Sequence, residues 1–392
     1  MDDRPEHPDP PPPNPSNSEE AETATSEDLL EIDPVPLPPP SMIGQKIGDC
    51  TIKRVIGSGG MGTVYEAIQH QPRRRVALKM MKRGIASPSA LRRFKFEIQL
   101  LGRLRHPGVA QVYEAGTHDD DTGGGGVPYF VMEYIPNAKT ITEYAVEKKL
   151  DIRDRLALFA MVCNAVQHGH LKGIVHRDLK PGNILVDTLG QPRIIDFGVA
   201  RSTDSDMAVT TLGTQVGQLI GTLQYMSPEQ CESDPSDIDT RSDLYSLGVI
   251  LYELLTGMPP YKVVGMAIHE AVRVVQEHEP TKLSTIDRRL RGDIQTITLM
   301  ALEKDRDRRY QSATALEEDI LRYLAGDPIA ARRPSTWYHL KSFAKRNSAA
   351  AAAIVITFGI LAVAVVAILV FAVSEASQRR IADEAKIGRA HV

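Results

Sequence analysis

The sequence is poor in cysteine, in tryptophan and in aromatic residues generally. Its 392 residues include three cysteines and one tryptophan, and aromatic residues make up 5% of the chain. The cysteines, Cys50, Cys163 and Cys231, are scattered, and none stands in a CxxC pair. Disulfide scaffolds and structural zinc sites need closely spaced cysteines. The composition therefore favours reduced thiols in a cytoplasmic domain.

A strong net charge of either sign is also missing. The formal net charge is −4, which argues against a dedicated nucleic-acid-binding protein. This total hides a segregation of charge, because residues 1–40 hold eleven acids and one base, Arg4. No apolar run follows Met1, so we expect no secretory signal peptide.

Residues 1–42 are rich in proline and acidic residues and poor in aliphatic ones. Twelve prolines lie within 1–40. Such a segment cannot bury enough apolar surface to offset the entropy lost on ordering, and we therefore predict a disordered tail. The clusters Pro10–Pro13 and Pro38–Pro40 leave a polyproline II ligand surface as the alternative.

The next stretch predicts a strand, a glycine-rich turn and a second strand. The turn reads GSGGMG and contains Gly57, Gly59 and Gly62. Glycine lets backbone N–H groups approach a phosphate because no Cβ intervenes. The same spacing occurs in dinucleotide-binding folds, but those need a helix directly after the glycines. Here the β-branched residues Thr63 and Val64 favour a strand.

Two charged residues follow at positions that suit phosphate binding. Lys79 ends the apolar run VALK, behind the glycine turn. Glu97 lies beside the apolar stripe of a helix predicted over Leu91–Leu104, where an unpaired carboxylate is costly. A solvent-facing lysine and a surface glutamate are the plain alternatives. The spacing behind the glycine turn favours a phosphate-binding lysine.

The densest group of reactive side chains lies in Ile174–Leu185, which reads IVHRDLKPGNIL. It places Asp178, Lys180 and Asn183 within six positions, and the short run IIDFG that follows offers Asp196. Carboxylates and an amide held together after short strand-like runs suit Mg²⁺, which prefers oxygen ligands and shares them with phosphate. The sequence thus predicts a metal-dependent phosphate site.

Taken together, these strings resemble the protein kinase family. The glycine turn, the lysine, HRDLKPGN and DFG occur in the family's order, and the resemblance covers about Ile47–Leu324. The chain looks like a bacterial, membrane-anchored, eukaryotic-type (Hanks-type) serine/threonine kinase, because Lys180 marks Ser/Thr specificity in the family. The resemblance implies an α+β, bilobal fold. A small antiparallel β-sheet lobe with one helix and a larger α-helical lobe would hold ATP between them.

The resemblance also implies catalytic and metal-binding roles. Asp178 would orient the substrate hydroxyl and accept its proton, and Lys180 would steady the γ-phosphate. Asn183 and Asp196 would hold Mg²⁺ across the phosphates, with Mn²⁺ as an alternative metal. The implied partners are ATP and protein substrates that carry Ser or Thr.

An ATP site is implied by the same match. Lys79, fixed by Glu97, would hold the α- and β-phosphates. Met132 would guard the back of the adenine pocket, and the backbones of Glu133 and Ile135 would bond the adenine edge. The apolar residues of the site are equally compatible with ordinary core positions. The implied ATP-binding set is Ile56, Gly57, Gly59, Gly62, Val64, Ala77, Lys79, Glu97, Met132, Glu133, Ile135 and Leu185.

The stretch after DFG is rich in serine and threonine. We expect autophosphorylation at Thr210, Thr211 or Thr214, and Thr222 is a further regulatory candidate. Arg177 precedes the catalytic acid, so a phosphorylated loop would give it a charge-assisted partner. A polar mobile loop is the alternative for each threonine. Autophosphorylation in trans would need a dimer of kinase domains.

Three later residues match family positions that hold the larger lobe together. Glu229 stands in Ser-Pro-Glu, where the family usually has Ala-Pro-Glu, and Arg309 matches the arginine that pairs with it. Asp243 opens a strongly apolar helix, near the N-terminus where a carboxylate is favoured. By analogy it braces the backbone of the catalytic loop. Arg306 replaces the usual proline before Arg309.

Residues 349–373 carry no charge and are almost entirely aliphatic. At about 1.5 Å per residue this run exceeds the roughly 30 Å hydrocarbon core of a bilayer, so we predict a transmembrane helix rather than a buried core helix. The basic segment 325–348, with Trp337 within it, suits a juxtamembrane position. ATP chemistry then requires the kinase domain of this single-pass cell-membrane protein to face the cytoplasm.

Residues 374–392 form a short tail after the apolar run. Its last six residues, IGRAHV, are the translation of part of a widely used sequencing adapter, so we expect the natural chain to continue beyond about Lys386.

A pseudokinase scaffold is the main alternative function, although such proteins typically lack the lysine, the catalytic acid or the metal acid. A receptor whose sensor lies beyond the membrane is compatible with the kinase interpretation.

Overall fold

The computed structural model describes most of the chain from Met42 to Arg332 and part of a helix beyond it. The described residues are 42–59, 62–81, 96, 98–118, 126–197, 222–232, 238–332, and 356–373 without 358, 362 and 372. The predicted features that lie outside them are the tail 1–40, Glu97, Thr210, Thr211, Thr214, the segment after 332 up to 355, and residues 374–392.

An antiparallel sheet of six strands forms the upper lobe. β-Branched and aromatic residues recur along these strands, as is typical of pleated, half-buried surfaces. The strands are β1 (Lys46–Ile47), β2 (Cys50–Ser58), β3 (Gly62–Gln69), β4 (Arg74–Met81), β5 (Val112–His118) and β6 (Val127–Glu133). Their order across the sheet is β1-β2-β3-β4-β6-β5. The antiparallel upper lobe implied by the sequence is confirmed.

Alternation along β4 decides which of its side chains reach the inner face of the sheet. Val76 and Leu78 belong to an apolar cluster on the outer face, whereas Ala77 and Met81 belong to the larger cluster that includes the lower lobe. Successive side chains of a strand point to opposite faces. Lys79 therefore lies on the same face as Ala77, toward the lower lobe.

The glycine turn joins β2 to β3. The N–H of Gly59 donates to the carbonyl of Gly62 at 2.9 Å. A Cβ at position 62 would lie 2.0 Å from the backbone oxygen of Met80 on β4, so only glycine fits there. The Cβ position of Gly57 has open space around it instead, which leaves room for a ligand beside the strand.

Helices and a small three-stranded sheet form the lower lobe. The strands β7 (Lys139–Thr140), β8 (Ile184–Val186) and β9 (Pro192–Ile194) pair antiparallel in that order. The helices are α1 (Ile141–Glu147), α2 (Ile152–Leu171), α3 (Thr240–Thr256), α4 (Ile268–Glu277), α5 (Leu283–Ile286), α6 (Asp293–Ala301) and α7 (Ala313–Ala325).

Helix α3 is buried on nearly every side, which explains its apolar sequence. Leu244 and Leu247, for example, are fully buried. Asp239 caps the helix by accepting a hydrogen bond from an N–H of the first turn, and Gly257 ends it with a left-handed φ of 80°. Asp243 lies in the first turn of this helix, and the packing of the helix holds it in place.

Packing continues beyond α7. Gly326 ends that helix with a φ of 80°, and Ile329 is 3% exposed. The buried Asp319 accepts a hydrogen bond from the Tyr310 hydroxyl at 2.9 Å. The packed part of the chain thus reaches past Leu324, where the family resemblance ends.

The apolar run 349–373 is described only in part. Among the residues that the structure describes, no helix combines the length and the apolar character needed to cross a bilayer. The described residues within 356–373 are helical and exposed. Their aliphatic side chains include Ile360 and Val363, which are 66% and 70% exposed. The transmembrane helix stays a prediction from the sequence.

Candidate active site

The loop between α2 and β8 brings three of the predicted side chains together. Lys180 donates through its Nζ to Oδ2 of Asp178 at 2.9 Å and to Oδ1 at 3.1 Å. The Asn183 amide donates to the backbone carbonyl of Asp178 at 2.7 Å and to its Oδ2 at 3.2 Å. The acid, the amine and the amide therefore form one polar cluster.

Asp243 on α3 holds the backbone of this loop. It accepts from the N–H of His176 and from the N–H of Arg177, both at 2.8 Å, and it bonds Nε2 of His170 at 2.7 Å. Burial alone would raise the pKa of Asp243, but the bond and charge of His170 and the contacts with His176 hold it below its ordinary value. The predicted bracing role of Asp243 is confirmed.

Two residues of the site adopt left-handed backbone conformations that side chains disfavour. Arg177 has a φ of 69° and Asp196 a φ of 57°. Each such residue costs on the order of 1–3 kcal/mol and persists only where its surroundings hold it. In Arg177 both backbone polar groups are used, because its N–H donates to Asp243 and its carbonyl accepts from Nε2 of Gln230 at 2.7 Å.

The turn that carries Asp196 is fixed by its neighbours. Nε2 of His176 lies 3.0 Å from the carbonyl oxygen of Ile195, within hydrogen-bond distance, and its ring lies 4.9 Å from that of Phe197. The Phe197 ring packs so closely on α2 that a Cβ at Gly169 would lie 2.4 Å from it. Together these contacts position the carboxylate that follows β9.

Lys79 links the two lobes at this point. Its Nζ donates to Oδ2 of Asp196 at 2.6 Å, and the residue is 6% exposed. Oδ1 of Asp196 is buried and has no hydrogen-bond partner within the described residues. A buried carboxylate oxygen left in this way is available to a cation. The predicted partner of Lys79, Glu97, lies outside the described residues.

The inner face of the upper sheet and the link after β6 carry the residues implied for adenine. Ala77 and Met132 are each 4% exposed, and Ile56 is 38% exposed. The N–H of Glu133 donates to the carbonyl of Gln111 at 2.8 Å, so this residue can offer only its carbonyl to a ligand. Val64, Ile135 and Leu185 are half-buried.

Arg193 on β9 makes a contact that the sequence did not reveal. It donates to Oε1 of Glu133 at 2.9 Å, and its guanidinium lies 4.0 Å from Asp187. Nε of Arg193 is buried without a partner among the residues described. The pair joins the link after β6 to the lower lobe, and only its opposite charges could have suggested it.

A buried ion pair holds the segment that follows the Ser- and Thr-rich stretch. Arg309 donates to both carboxylate oxygens of Glu229, at 2.7 and 2.8 Å, and Ser242 adds a bond at 2.8 Å. Burial alone would raise the pKa of Glu229, but the Arg309 guanidinium holds it below its ordinary value. The predicted pair is confirmed.

The comparisons with known proteins agree with this geometry. Residues 50–321 match the family described as protein kinase domain. The chain belongs to the protein kinase family. The crystal structure of the Mycobacterium tuberculosis PknI kinase domain covers 71% of this chain and 97% of its own, with a TM-score of 0.54 and 23% identity. That likeness supports the kinase fold, and the bilobal arrangement implied by the sequence is confirmed.

The chain is also similar to bacterial serine/threonine-protein kinases. A probable serine/threonine-protein kinase of Streptomyces coelicolor is 39% identical over 71% of this chain and 40% of its own. Serine/threonine-protein kinase PknB of Mycobacterium leprae is 35% identical over 72% of this chain and 44% of its own. The chain thus spans less than half the length of these relatives.

The structure brings together five of the predicted site residues of this kinase, and other predicted residues lie outside the part of the chain that it describes. The assembled residues are Lys79 with Asp196, and Asp178 with Lys180 and Asn183. The two groups are neighbours, because the N–H of Ile195 donates to the carbonyl of Asn183 at 2.9 Å. Glu97, Thr210, Thr211 and Thr214 lie outside the described residues, so their roles stay predictions. Thr222 is described and half-buried, and its carbonyl accepts from the N–H of Tyr225 at 3.0 Å.

The residues fit the ATP and Mg²⁺ that kinases use. The unpartnered Oδ1 of Asp196 is an oxygen of the kind that Mg²⁺ prefers. The Asn183 amide donates through its nitrogen, which leaves its oxygen as the ligand atom. Among the described residues no group of three or more His, Cys, Asp or Glu side chains could hold a metal alone. A site of this kind relies on phosphate oxygens and waters to complete the coordination.

Proposed function

We propose that this chain is the catalytic part of a serine/threonine protein kinase, which transfers the γ-phosphate of ATP to Ser or Thr hydroxyls of proteins. The observation that carries the proposal is that the Lys79–Asp196 pair lies next to the Asp178 cluster, because the N–H of Ile195 donates to the carbonyl of Asn183 at 2.9 Å. Phosphoryl transfer needs positioning and charge neutralisation more than covalent chemistry. A rigid site with these charges meets that need.

Each residue of the site has a role that follows from its position. Asp178 receives the substrate hydroxyl and accepts its proton, and Lys180 at 2.9 Å from it is placed to steady the transferred phosphate. Lys79 holds the α- and β-phosphates. Asn183 and Asp196 are the residues that would hold Mg²⁺, which neutralises charge on the phosphates when bound.

Regulation by autophosphorylation of the Ser- and Thr-rich stretch after DFG belongs to the proposal. Thr210, Thr211 and Thr214 are the proposed sites, and Thr222 is a further regulatory residue. Arg177 supports it, because its backbone is fixed beside the catalytic acid and its guanidinium can pair with a phosphate. Modification in trans would bring two kinase domains together.

Membrane anchoring is also proposed. The uncharged run 349–373 and the exposed aliphatic side chains of its described part support a single spanning helix. The kinase domain would then lie on the cytoplasmic side of the cell membrane, where ATP is available. The substrates would be proteins that reach that surface.

The test is an in vitro assay of the full chain in detergent with Mg²⁺-ATP and a generic basic protein. Wild type is expected to label Ser and Thr. Asp178→Asn should still bind ATP but lose at least about 10²-fold in rate, because the general base is gone. The exposed Asp154→Asn serves as the control and should keep wild-type turnover.

A wild-type chain that binds ATP without turnover would support the pseudokinase scaffold instead. Near-normal turnover in Asp178→Asn would remove that residue from the mechanism.

A further inference from the structure

The point at which the chain leaves the kinase domain is fixed. The carboxylate of Asp319, which is fully buried, accepts from the N–H of Ala330 at 2.6 Å and from the N–H of Ala331 at 2.8 Å. The buried Ile329 anchors the same segment. Residues 327–332 are therefore part of the packed domain, and the chain leaves it from a defined position.

That position lies next to the start of α6. Nη1 of Arg332, the last residue described here before 356, lies 2.8 Å from Oδ1 of Asp293. Asp293 is the first residue of α6, and Arg291 is two residues before it, so their Cα atoms are at most about 7 Å apart. The exit point therefore lies beside the segment that precedes α6.

This neighbouring segment presents a basic surface, which we define as Lys282, Arg288, Arg289 and Arg291. All four residues are exposed, and the Arg289 side chain is 78% exposed. The fully buried Leu290 lies between the arginines. Its burial anchors the backbone of the arginines to the domain, so the fold fixes the position of the basic surface.

Few acids offset the charge of the basic surface. Arg289 pairs with Asp287 at 2.7 Å. Within the described part of the chain, Arg288 and Arg291 make no ion pair. Asp293, the next acid along the chain, is engaged by Arg332. The exposed Glu279, three residues before Lys282, is the other acid near this surface, so four bases against two acids leave a charge of +2 beside the exit point.

The sequence beyond Arg332 continues the same charge. Residues 333–348 contain Arg333, Lys341, Lys345 and Arg346 and no acid, and the uncharged run 349–373 follows directly. Sixteen residues span at most about 55 Å when extended and about 24 Å as a helix. If the chain enters the membrane at about residue 349, the membrane surface lies within about 55 Å of the exit point, beside which the basic surface lies.

We propose that the basic surface docks on anionic lipid headgroups of the leaflet at which the chain enters the membrane. This inference rests on the membrane anchoring proposed above. Anionic leaflets attract basic segments near a membrane anchor, and the attraction falls off within a Debye length. The basic surface adds a folded contact to the basic linker, so the kinase domain is held against the leaflet rather than only tethered to it.

The test uses the full chain reconstituted in nanodiscs of phosphatidylcholine and in nanodiscs that also contain phosphatidylglycerol. Hydrogen exchange is measured on peptides covering 283–291. We expect slower exchange in the anionic discs, because docking covers this segment, and each arginine at the lipid surface should favour the docked state by about fivefold. The protection should disappear at high salt, because the charges are exposed.

A triple variant identifies the residues responsible. Arg288→Gln, Arg289→Gln and Arg291→Gln together should abolish the difference between the two discs. The matched control removes three exposed bases of the upper lobe, Lys46, Lys53 and Arg73, each replaced by Gln, and should keep the difference. Kinase activity in detergent should be unchanged in both, because none of these residues touches the active site.

Equal exchange in the two discs, or protection that survives in the triple variant, would overturn the inference. So would equal protection by soluble pyrophosphate, which would indicate a free-anion site, or loss of protection on deleting residues 1–40, whose eleven acids are the competing occupant. Release of the chain by alkaline carbonate would overturn the anchoring and this inference together. The detergent assay tests the kinase activity separately.

Discussion

The catalytic loop differs from β2 and β3, the two strands that the glycine turn joins, in how firmly its residues are held. In the loop, Asp243 is 1% exposed and accepts two backbone N–H groups beside Asp178. On the strands, Ile56 is 38% exposed and the Cβ position of Gly57 faces open space. Groups that act on developing charge are fixed in advance, whereas the surface that covers the nucleotide makes its contacts when the nucleotide arrives.

This difference implies that substitutions in the two regions have different signatures. Loss of a buried partner below the loop should cost stability and rate together, because the frame itself is disturbed. Loss of an exposed side chain on the strands should change nucleotide affinity alone, because nothing in the free protein depends on it. The following substitutions test that comparison, from the largest expected effect to the smallest.

The largest effect is expected for Arg309→Met. It leaves the carboxylate of Glu229 buried without its ion pair, which costs about 3–5 kcal/mol in the free energy of unfolding. Urea unfolding followed by circular dichroism measures the change. The control is Arg308→Met, whose side chain is 70% exposed and 3.6 Å from Glu303, with an expected change within about 0.5 kcal/mol. Equal values for the two variants would contradict the structural role of the buried pair.

Asp243→Asn should come next. Its amide nitrogen would face N–H donors that now bind a carboxylate oxygen, and an unsatisfied buried group costs about 1–3 kcal/mol. Since the loop backbone shifts with it, we also expect kcat to fall by about 10²-fold, the range seen when a catalytic group is misplaced. Asp239→Asn on the same helix is the control, because asparagine caps a helix as well as aspartate. Normal kcat in Asp243→Asn would show that the loop holds its shape without this support.

Acid should weaken the same frame. Burial tends to raise the pKa of Asp243 and of Glu229, but His170 and Arg309 hold both pKa values below ordinary. The stability they contribute is complete above the unfolded pKa of about 4 and is lost as the pH falls through the lower folded values. We expect the free energy of unfolding to fall below about pH 4, and to fall less steeply in Asp243→Asn. Parallel pH profiles, obtained by urea unfolding, would contradict this assignment.

Much of the site follows from short sequence strings. HRDLKPGN and DFG order the acid, the lysine, the amide and the metal acid locally, and the period of two along β4 places Lys79 on the inner face. The pair of Glu229 and Arg309 was predicted across 80 positions only because the family pattern marks both residues. Local patterns and family spacing thus carry the chemistry.

Other contacts could not be read from the sequence. Arg193 and Glu133 are 60 positions apart and belong to no motif. Asp319 is an ordinary acid on an amphipathic helix until the chain returns at residues 330 and 331 to donate two N–H groups to it. Such contacts depend on how the elements pack and not on local preference, so only the folded chain reveals them.

The smallest effect is expected for Ile56→Ala on the glycine-turn strand. The side chain is partly exposed, so its removal leaves no cavity, and it loses apolar contact only with a bound nucleotide. That contact is worth about 0.5–1 kcal/mol, which raises the KM for ATP about two- to fivefold and leaves kcat unchanged. Ile43→Ala, at a residue 53% exposed outside the strands, should change neither constant. A fall in kcat as large as that of Asp243→Asn would mean that the upper strands position the reacting groups too, and the contrast between the two regions would not hold.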